Sequence, residues 1–239
     1  MFSLSSRGRS AALIHPRSLT KIGPALERAG FDVIPVPVCR SLDPRLEGHP
    51  DLQIFAANGY AFVHPDADDE FVGCCSQYAR VIRCTTSLGR NYPLDCPYNI
   101  AFTGEYALCK EQLIPAEIRN FLDEEGIPTV DIPQGYAKCS IIVVDEKSII
   151  TEDEGIRRKA ELIGFDVLTV RKGFITLDGF PHGFIGGISG MNGGSVYLTG
   201  DIAHHPDHGI ISSFIEKRGK RIELLSPLPA ADIGSIIFL

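Results

Sequence analysis

The 239-residue sequence lacks three features that would place the protein outside the ordinary globular class. It has no stretch of eighteen apolar residues, which excludes a predicted transmembrane helix. Its first ten residues, MFSLSSRGRS, contain no apolar core of seven or more, which argues against an export signal. No run of five basic residues occurs either. We therefore expect a cytoplasmic protein that does not associate with membranes.

Basic residues are also too few for a nucleic-acid binder of the usual kind. The chain has 23 Lys and Arg against 30 Asp and Glu, a formal net charge of −7. Proteins that hold a phosphate backbone usually present a basic face, so no nucleic-acid partner is predicted. Hydrophobic residues at 44% and charged residues at 22% are typical of a water-soluble domain with a sizeable core.

No pair of cysteines has the CxxC spacing, and the cysteines are odd in number. These facts argue against a disulfide framework and against structural zinc, and they favour reduced thiols in a cytoplasm. Most are expected to be small buried apolar residues. No cofactor is predicted. The seven residues are Cys39, Cys74, Cys75, Cys84, Cys96, Cys109 and Cys139.

A junction between an apolar strand and a helix recurs along the chain. At each junction a short apolar run is followed by a proline or a Thr-Glu pair, about ten residues of helical spacing, usually a glycine, and a second strand. Proline suits the first helical turn because its missing N–H has no partner there. The five junctions lie at Pro16, Pro65, Pro115, Thr151 and Pro206.

A further strand precedes most junctions and pairs with the strand already found. The clearest case is LQIFAANGYAFVHP, in which Asn58-Gly59 is a strong hairpin signal between two apolar runs. The repeat is therefore strand, strand, helix, strand. The first unit lacks its leading strand, which DIGSIIFL at 232–239 could supply. We predict a single domain, 1–239, of five units: 10–50 with 232–239, 51–97, 98–134, 135–177 and 178–231.

Five such units, the first completed by the last strand, resemble the pentein superfamily. These α/β proteins are closed pseudo-five-fold propellers of ββαβ repeats, and they include arginine deiminases, dimethylarginine hydrolases, glycine amidinotransferases and a ribosome anti-association factor. The stretches GFIGGISG, YLTGDIAHHPD and DIGSIIFL resemble more narrowly an uncharacterised bacterial family of this superfamily. The resemblance implies a central channel lined by the first strand of each unit.

The resemblance also implies where catalytic residues would stand, and the sequence departs from that pattern. The catalytic cysteine of the enzymes would fall among Ser235, Ile236 and Ile237, and no cysteine follows Cys139. His182 is at best a substitute for the family's histidine, and the expected acidic residue is missing from FIGGISG. Covalent guanidine chemistry needs a thiolate nucleophile and a proton donor. We therefore expect a non-catalytic or diverged member that binds a small polar or cationic metabolite in the channel.

Five polar residues in the loops that enter the inner strands are the predicted ligand-binding set. Two other interpretations of these loops stay open: the polar residues cap turns and His182 binds a backbone carbonyl, or Cys139 and His182 form a displaced nucleophile pair. Two other functions also stay open, a macromolecular partner bound in the manner of the anti-association factor, and a guanidino-group hydrolase with relocated catalytic residues. The predicted set is Gln53, Asn99, Lys138, His182 and Asp232.

The histidine-rich stretch GDIAHHPDHGI, 200–210, raises the question of a metal site. His204 and His208 are four residues apart, which on one continuous helix would place both on one face for zinc or nickel. Pro206 lies between them at the predicted helix boundary, and His-Pro recurs at 15–16 and 64–65. We therefore interpret the stretch as a strand-to-helix junction. The glycine-rich 183–194 lies inside a predicted hairpin, which disfavours a dinucleotide site.

Overall fold

The computed structural model describes residues 10–239, which form an α/β fold with five small sheets. Each sheet has three strands and follows the predicted order of strand, strand, helix, strand. The elements are β1 (Ala11–Ile14), α1 (Leu19–Arg28), β2 (Asp32–Pro35), α2 (Pro50–Gln53), β3 (Ile54–Ala57), β4 (Tyr60–Val63), α3 (Asp69–Cys75), β5 (Arg80–Arg83), β6 (Ala101–Phe102), β7 (Ala107–Cys109), α4 (Ala116–Glu124), β8 (Thr129–Asp131), α5 (Ala137–Ser140), β9 (Ile141–Asp145), β10 (Ser148–Thr151), α6 (Glu154–Leu162), β11 (Asp166–Thr169), β12 (Ser189–Asn192), β13 (Ser195–Leu198), α7 (His208–Glu216), β14 (Arg221–Leu224) and β15 (Ile237–Phe238).

Every sheet has the same topology. Its first strand pairs antiparallel with the second, and the second pairs parallel with the third across a helix. A hairpin joins the first two strands in every sheet except β15-β1-β2. The middle strands are mostly apolar and are covered on both faces: all four residues of β1, β10 and β13 are buried. The third strands are edge strands and remain partly exposed.

The sheet nearest both ends of the chain is completed by the C-terminal strand. β15 runs antiparallel to β1 and places Phe238 opposite Ala12 and Ile237 opposite Leu13. Two further backbone hydrogen bonds join Ala11 and Leu239. This is the strand that the sequence assigned to the first unit.

The helices α3 and α6 begin where an aspartate side chain, Asp68 or Asp153, satisfies free backbone N–H groups. The Asp153 carboxylate accepts hydrogen bonds from the amides of Gly155 and Ile156 at the start of α6. That helix ends at Leu162, and two residues later Gly164, with a φ of +84°, turns the chain in the left-handed region. Among residues 10–239 no helix is long and apolar enough to span a membrane.

The first strands of the five sheets lie next to one another in the middle of the molecule. β6 contacts β9, β9 contacts β12, β12 contacts β15, and β15 contacts β3. Phe55 of β3 and Phe102 of β6 make an edge contact with ring centroids 6.3 Å apart. Polar residues placed just before these strands are therefore brought together from distant parts of the chain.

Candidate functional site

Short turns precede the first strands and carry polar side chains into the centre. α2, α5 and a 3₁₀ turn at Gly186–Ile188 each end where an inner strand begins. The sequence predicted strand or loop at these positions; the helical turns satisfy backbone groups that a buried irregular loop would leave unpaired. We name the buried residues gathered here the junction cluster. It consists of Asp51, Asn99, Lys138, Cys139, Ser189, Asp232 and Ser235.

Asn99 is the centre of hydrogen bonding in the junction cluster. Its Nδ2 donates to the carbonyl oxygen of Asp51 at 3.1 Å and to Sγ of Cys139 at 3.0 Å. Its Oδ1 accepts from the backbone N–H groups of Lys138, at 2.7 Å, and Cys139, at 3.2 Å. All the hydrogen-bonding capacity of the amide is used. Asn99 therefore fixes the relative positions of three units.

Asp51 has one well-held carboxylate oxygen and one without a partner. Oδ2 accepts from the Ser235 hydroxyl at 2.7 Å and from the Cys139 thiol at 3.1 Å. Oδ1 is buried and has no hydrogen-bond partner in the described chain, residues 10–239. Burial raises the pKa of Asp51 above its usual range. The carboxyl group is thus held in one orientation with half of its hydrogen-bonding capacity unused.

Asp232 is held by backbone amides close to the glycine pair of the 3₁₀ turn. Its Oδ2 accepts from Phe184 N and its Oδ1 from Gly234 N, each at 2.9 Å. Burial raises its pKa to about 6 although these hydrogen bonds oppose the change. A Cβ on Gly187 would lie 2.0 Å from Oδ1, so only glycine fits at that position.

Burial favours the uncharged forms of Lys138 and Cys139, the neutral amine and the protonated thiol. Among the described residues the Lys138 ammonium donates only to the Ser189 carbonyl oxygen, at 3.3 Å. Burial lowers the pKa of Lys138, while the charges of Asp51 and Asp232 oppose that change. Burial also raises the pKa of Cys139 well above its usual range, so the thiol stays protonated and donates to Asp51.

A cavity of about 330 Å³ extends from the junction cluster along the first strands. Its inner end is lined by Asp51, Lys138 and Ser189. Its outer end lies at the hairpin turns of the inner strands, around Asn58–Gly59 and Asn192–Gly193. The walls between are mainly apolar and include Ile54, Ile100, Phe102, Val143 and Met191. An apolar cavity with a few polar groups at one end is the usual form of a small-molecule site.

The structure brings together three of the five residues predicted to bind a ligand. Asn99, Lys138 and Asp232 belong to the junction cluster, whereas Gln53 and His182 do not. Gln53 donates to the carbonyl oxygens of Pro37, at 3.1 Å, and Glu47, at 2.9 Å, and lines a separate cavity of about 240 Å³. Ligand binding by all five residues stays a prediction.

His182 is half-buried, and its Nδ1 lies 3.0 Å from the carbonyl oxygen of its neighbour Gly183. This is the backbone contact that the sequence left open as an alternative. The side chain of Cys139 bonds instead to Asp51 and Asn99. The proposed Cys139–His182 nucleophile pair stays a prediction.

Sequence reasoning missed Asp51 and Ser189. Asp51 stands in HPDLQ, one of the loops selected, from which only Gln53 was predicted to bind a ligand. The helical turn of α2 places Asp51 in the junction cluster and the buried Gln53 at the separate cavity. The signal available was His49-Pro50-Asp51, which repeats the His-Pro-Asp of 64–66 and 205–207.

Two more acids lie near the starts of the inner strands, the half-buried Glu152 and the buried Asp95. Glu152 accepts from Ile185 N at 3.4 Å, its Oε1 has no partner within the part of the chain described, and burial raises its pKa to about 7. Asp95 accepts from the Tyr136 hydroxyl at 2.6 Å. Burial raises the pKa of Glu152 and Asp95, as it does for the two aspartates of the junction cluster, and so favours the neutral carboxyl groups.

The histidines of 200–210 hold backbone groups. His205 is buried; its Nδ1 accepts from Asp207 N at 3.0 Å, and its Nε2 lies 3.1 Å from the carbonyl oxygen of Arg171. His15 caps its own junction in the same way through Arg17 N. The stretch is thus a strand-to-helix junction, as the sequence predicted.

His204 and His208 do not share a helix face, because α7 begins only at His208. His204 Nε2 lies 3.2 Å from the carbonyl oxygen of Phe174, and His208 Nδ1 lies 3.0 Å from that of His205. Across residues 10–239 no group of three or more His, Cys, Asp and Glu side chains is arranged to hold a metal ion.

Comparison with solved structures defines the class of fold. Dimethylarginine dimethylaminohydrolase, as an adduct with 4-chloro-2-hydroxymethylpyridine, matches with a TM-score of 0.56 at 13% identity, over 91% of this chain and 92% of that one. The Pseudomonas aeruginosa enzyme, a Cys-to-Ser mutant complexed with citrulline, gives 0.56 at 10% identity, over 97% and 99%. The cyanobacterial arginine dihydrolase ArgZ gives 0.54 at 8% identity, over 93% of this chain and 37% of that one.

The chain therefore has the fold of the pentein superfamily, as its repeats indicated. It belongs to a family of unknown function, DUF6873, which it matches over residues 13–237. A search of curated proteins found no match. At these identities the solved structures establish the fold alone.

Proposed function

We propose that this protein binds a small polar or cationic metabolite in the channel between its inner strands. The observation that carries the proposal is the unpartnered Oδ1 of Asp51, in a residue that lines the inner end of the cavity. A buried polar group without a partner costs about 1–3 kcal/mol, which a ligand N–H donor would recover. Guanidinium and amine groups are donors of this kind.

The surroundings of Asp51 support a ligand with both donors and acceptors. Ser235 and Cys139 hold Oδ2, so Oδ1 keeps one direction and needs no reorganisation on binding. Lys138, at the same end of the cavity, has a single hydrogen-bond acceptor within residues 10–239 and offers further N–H groups. An amino acid or a guanidino acid carries a cationic donor and a carboxylate acceptor. Such compounds are named with the solved structures of similar fold, which include dimethylarginine and arginine enzymes.

A non-catalytic role fits the state of the candidate nucleophiles. The Cys139 thiol is protonated and donates to Asp51, and the Ser235 hydroxyl donates to the same oxygen. Neither has a histidine partner among residues 10–239 that could remove its proton. The alternative of a guanidino-group hydrolase with relocated catalytic residues is therefore not favoured.

Binding is tested by thermal shift and calorimetry with arginine, agmatine, dimethylarginine, citrulline and a simple alkylamine. A compound that binds only the folded state raises the Tm by mass action. We expect at least one guanidino compound or amine to do so, and Asp51→Asn to abolish the effect. Asp123→Asn, an equal change of charge at an exposed position, is the matched control. A Tm rise that survives Asp51→Asn would contradict the proposal, as would no rise with any compound.

The same screen separates this proposal from the alternative of a macromolecular partner. That alternative predicts no small-molecule effect on the Tm and recovery of a specific protein or of ribosomal subunits in a pulldown. It uses an outer face of the molecule, so Asp51→Asn would leave the recovery unchanged.

We further propose that the five sheets form one closed ring and a single domain. The contacts among the inner strands and the pairing of β15 with β1 support closure, which removes exposed sheet edges. Deleting residues 232–239 is then expected to lower the Tm of the whole molecule. A peptide of residues 230–239 added in trans should restore it, whereas a scrambled peptide should not. An unchanged Tm after deletion would contradict closure.

The state of the cysteines supports a cytoplasmic location. All seven cysteines are free in the structure, although the chain brings several of them into one core. Free thiols persist in reducing compartments. Fractionation of cells that express a tagged chain, with a known cytoplasmic protein as the reference, tests this part of the proposal.

A further inference from the structure

Lys138 stands apart from the other lysines because it is buried at the inner end of a cavity. Its exposed fraction is 8%, whereas Lys21 and Lys217 are exposed. Lysine is almost never fully buried unless it is paired with a carboxylate. No carboxylate oxygen lies within 4.0 Å of Lys138 Nζ in the described part of the chain, so Lys138 lacks the usual partner.

The hydrogen bonding of Lys138 leaves its nitrogen lone pair available. Nζ donates one bond, to the Ser189 carbonyl oxygen at 3.3 Å, and no group of residues 10–239 donates to it. Both Lys138 and Ser189 line the cavity, so Nζ lies where a molecule inside the cavity could contact it. The burial that lowers its pKa favours the neutral amine, which is the nucleophilic form.

We propose that Lys138 forms an imine with a small aldehyde or ketone that enters the cavity. The Nζ lone pair attacks the carbonyl carbon and forms a C–N bond, while the carbonyl oxygen takes a proton to give a carbinolamine. Loss of the second N–H proton and of the hydroxyl group, as water, then gives the imine. No oxidant or reductant is needed.

The neighbours of Lys138 suit this reaction. Removal of the hydroxyl group needs an acid, and Asp51 lines the same end of the cavity. A cationic ligand would favour its carboxylate, but with a neutral carbonyl compound bound instead, Asp51 retains a proton to a higher pH because burial raises its pKa. The apolar walls formed by residues such as Ile100 and Val143 limit the water that would hydrolyse the imine.

The inference rests on the proposed function only in requiring that small molecules enter the cavity.

The folded protein is incubated separately with propanal, pyruvate and aminoacetaldehyde in the presence of cyanoborohydride, which reduces imines to stable amines. Digestion and mass spectrometry then give the extent of labelling at each lysine. The three probes are neutral, anionic and cationic, so their order gives the charge preference of the site.

We expect Lys138 to be labelled several times faster than Lys21 and Lys217 by at least one probe near neutral pH, since a lowered pKa leaves more of its amine unprotonated. Unfolding in denaturant should remove that difference. Lys138→Met should lose the label with its circular dichroism spectrum unchanged. Labelling of Lys138 no faster than that of Lys21 and Lys217 would overturn the inference.

Failure of this inference and failure of the proposed function give different results. If guanidino compounds raise the Tm through Asp51 while Lys138 is not labelled, the imine inference alone is wrong. If Lys138 is labelled selectively while none of those compounds binds, the ligand class proposed for the site is wrong and the imine inference holds.

Discussion

The Ser235 hydroxyl lies 2.7 Å from Oδ2 of Asp51, although 184 positions separate the two residues in the chain. Ser235 directly follows Gly234 and has a φ of +67°, a backbone conformation that residues other than glycine rarely adopt. The same hydroxyl lies 3.2 Å from the Gly186 carbonyl oxygen. One strained residue thus links the end of the chain to two other units and fixes the orientation of the Asp51 carboxyl group.

Substitutions of Ser235 separate two contributions to the free energy of unfolding, the hydrogen bond of its hydroxyl and the strain of its backbone. Ser235→Ala loses the hydrogen bond to Asp51 and keeps the strained φ, so we expect it to lower the free energy of unfolding by roughly 1–3 kcal/mol. Ser235→Gly loses the same bond and relieves about 1 kcal/mol of strain. Urea denaturation should therefore find the glycine variant more stable than the alanine variant. The reverse order would show that the left-handed backbone is not retained.

The pH dependence of stability tests the protonation of Glu152. Burial raises the pKa of Glu152 to about 7, above its usual 4.5. Over that interval the folded chain keeps a proton that the unfolded chain has released, so this residue makes stability fall as the pH rises from about 4.5 to 7. Burial lowers the pKa of His15 to about 4, which makes stability rise with pH up to about 6.5. The effect of Glu152 is therefore measured as the difference in Tm between two variants.

Glu152→Gln should remove that loss, because an amide does not ionise. We expect the Tm of Glu152→Gln relative to the unsubstituted protein to rise steadily between about pH 4.5 and 7 and then to level off. The exposed Glu125→Gln is the matched control and should show no such trend. A constant difference in Tm across this range would mean that Glu152 is ionised throughout.

Gly187 tests how closely Asp232 is held. A methyl group at this position would overlap the Asp232 carboxylate, so we expect Gly187→Ala to destabilise the fold by roughly 2–3 kcal/mol. A methyl group on Gly209, near the start of α7, would meet no atom within 4 Å, and Gly209→Ala should stabilise by up to about 1 kcal/mol. Thermal unfolding of both variants checks the contrast. Equal effects would show that Asp232 can move aside.

His205 tests the structural interpretation of the histidine-rich stretch. His205→Ala leaves the Asp207 amide and the Arg171 carbonyl without their partners, and we expect a loss of roughly 2–4 kcal/mol. The exposed His204→Ala should change stability by less than about 0.5 kcal/mol. Denaturation with and without zinc or nickel checks both points. Metal-dependent stability that His204→Ala removes would contradict this interpretation.

The order of strands and helices could be predicted from the sequence because it depends on local patterns. Asn58-Gly59 marks a hairpin, and His205-Pro206 marks a junction at which the imidazole caps the turn that follows. Apolar runs covered on both faces, such as Ala11–Ile14, indicate middle strands. The assignment of 232–239 to the first unit came from counting strands, and the pairing of Phe238 with Ala12 agrees with it.

The site could be predicted only in part, because burial and direction depend on contacts between units. The sequence selected Asn99, Lys138 and Asp232, but one helical turn in α2 decided that Asp51 and not Gln53 enters the cluster. Hydrogen bonds that join residues 40 to 184 positions apart leave no signal in one sequence. The sequence by itself thus determined the repeats and their elements, whereas the tertiary structure decided which polar groups meet, since only packing removes them from water.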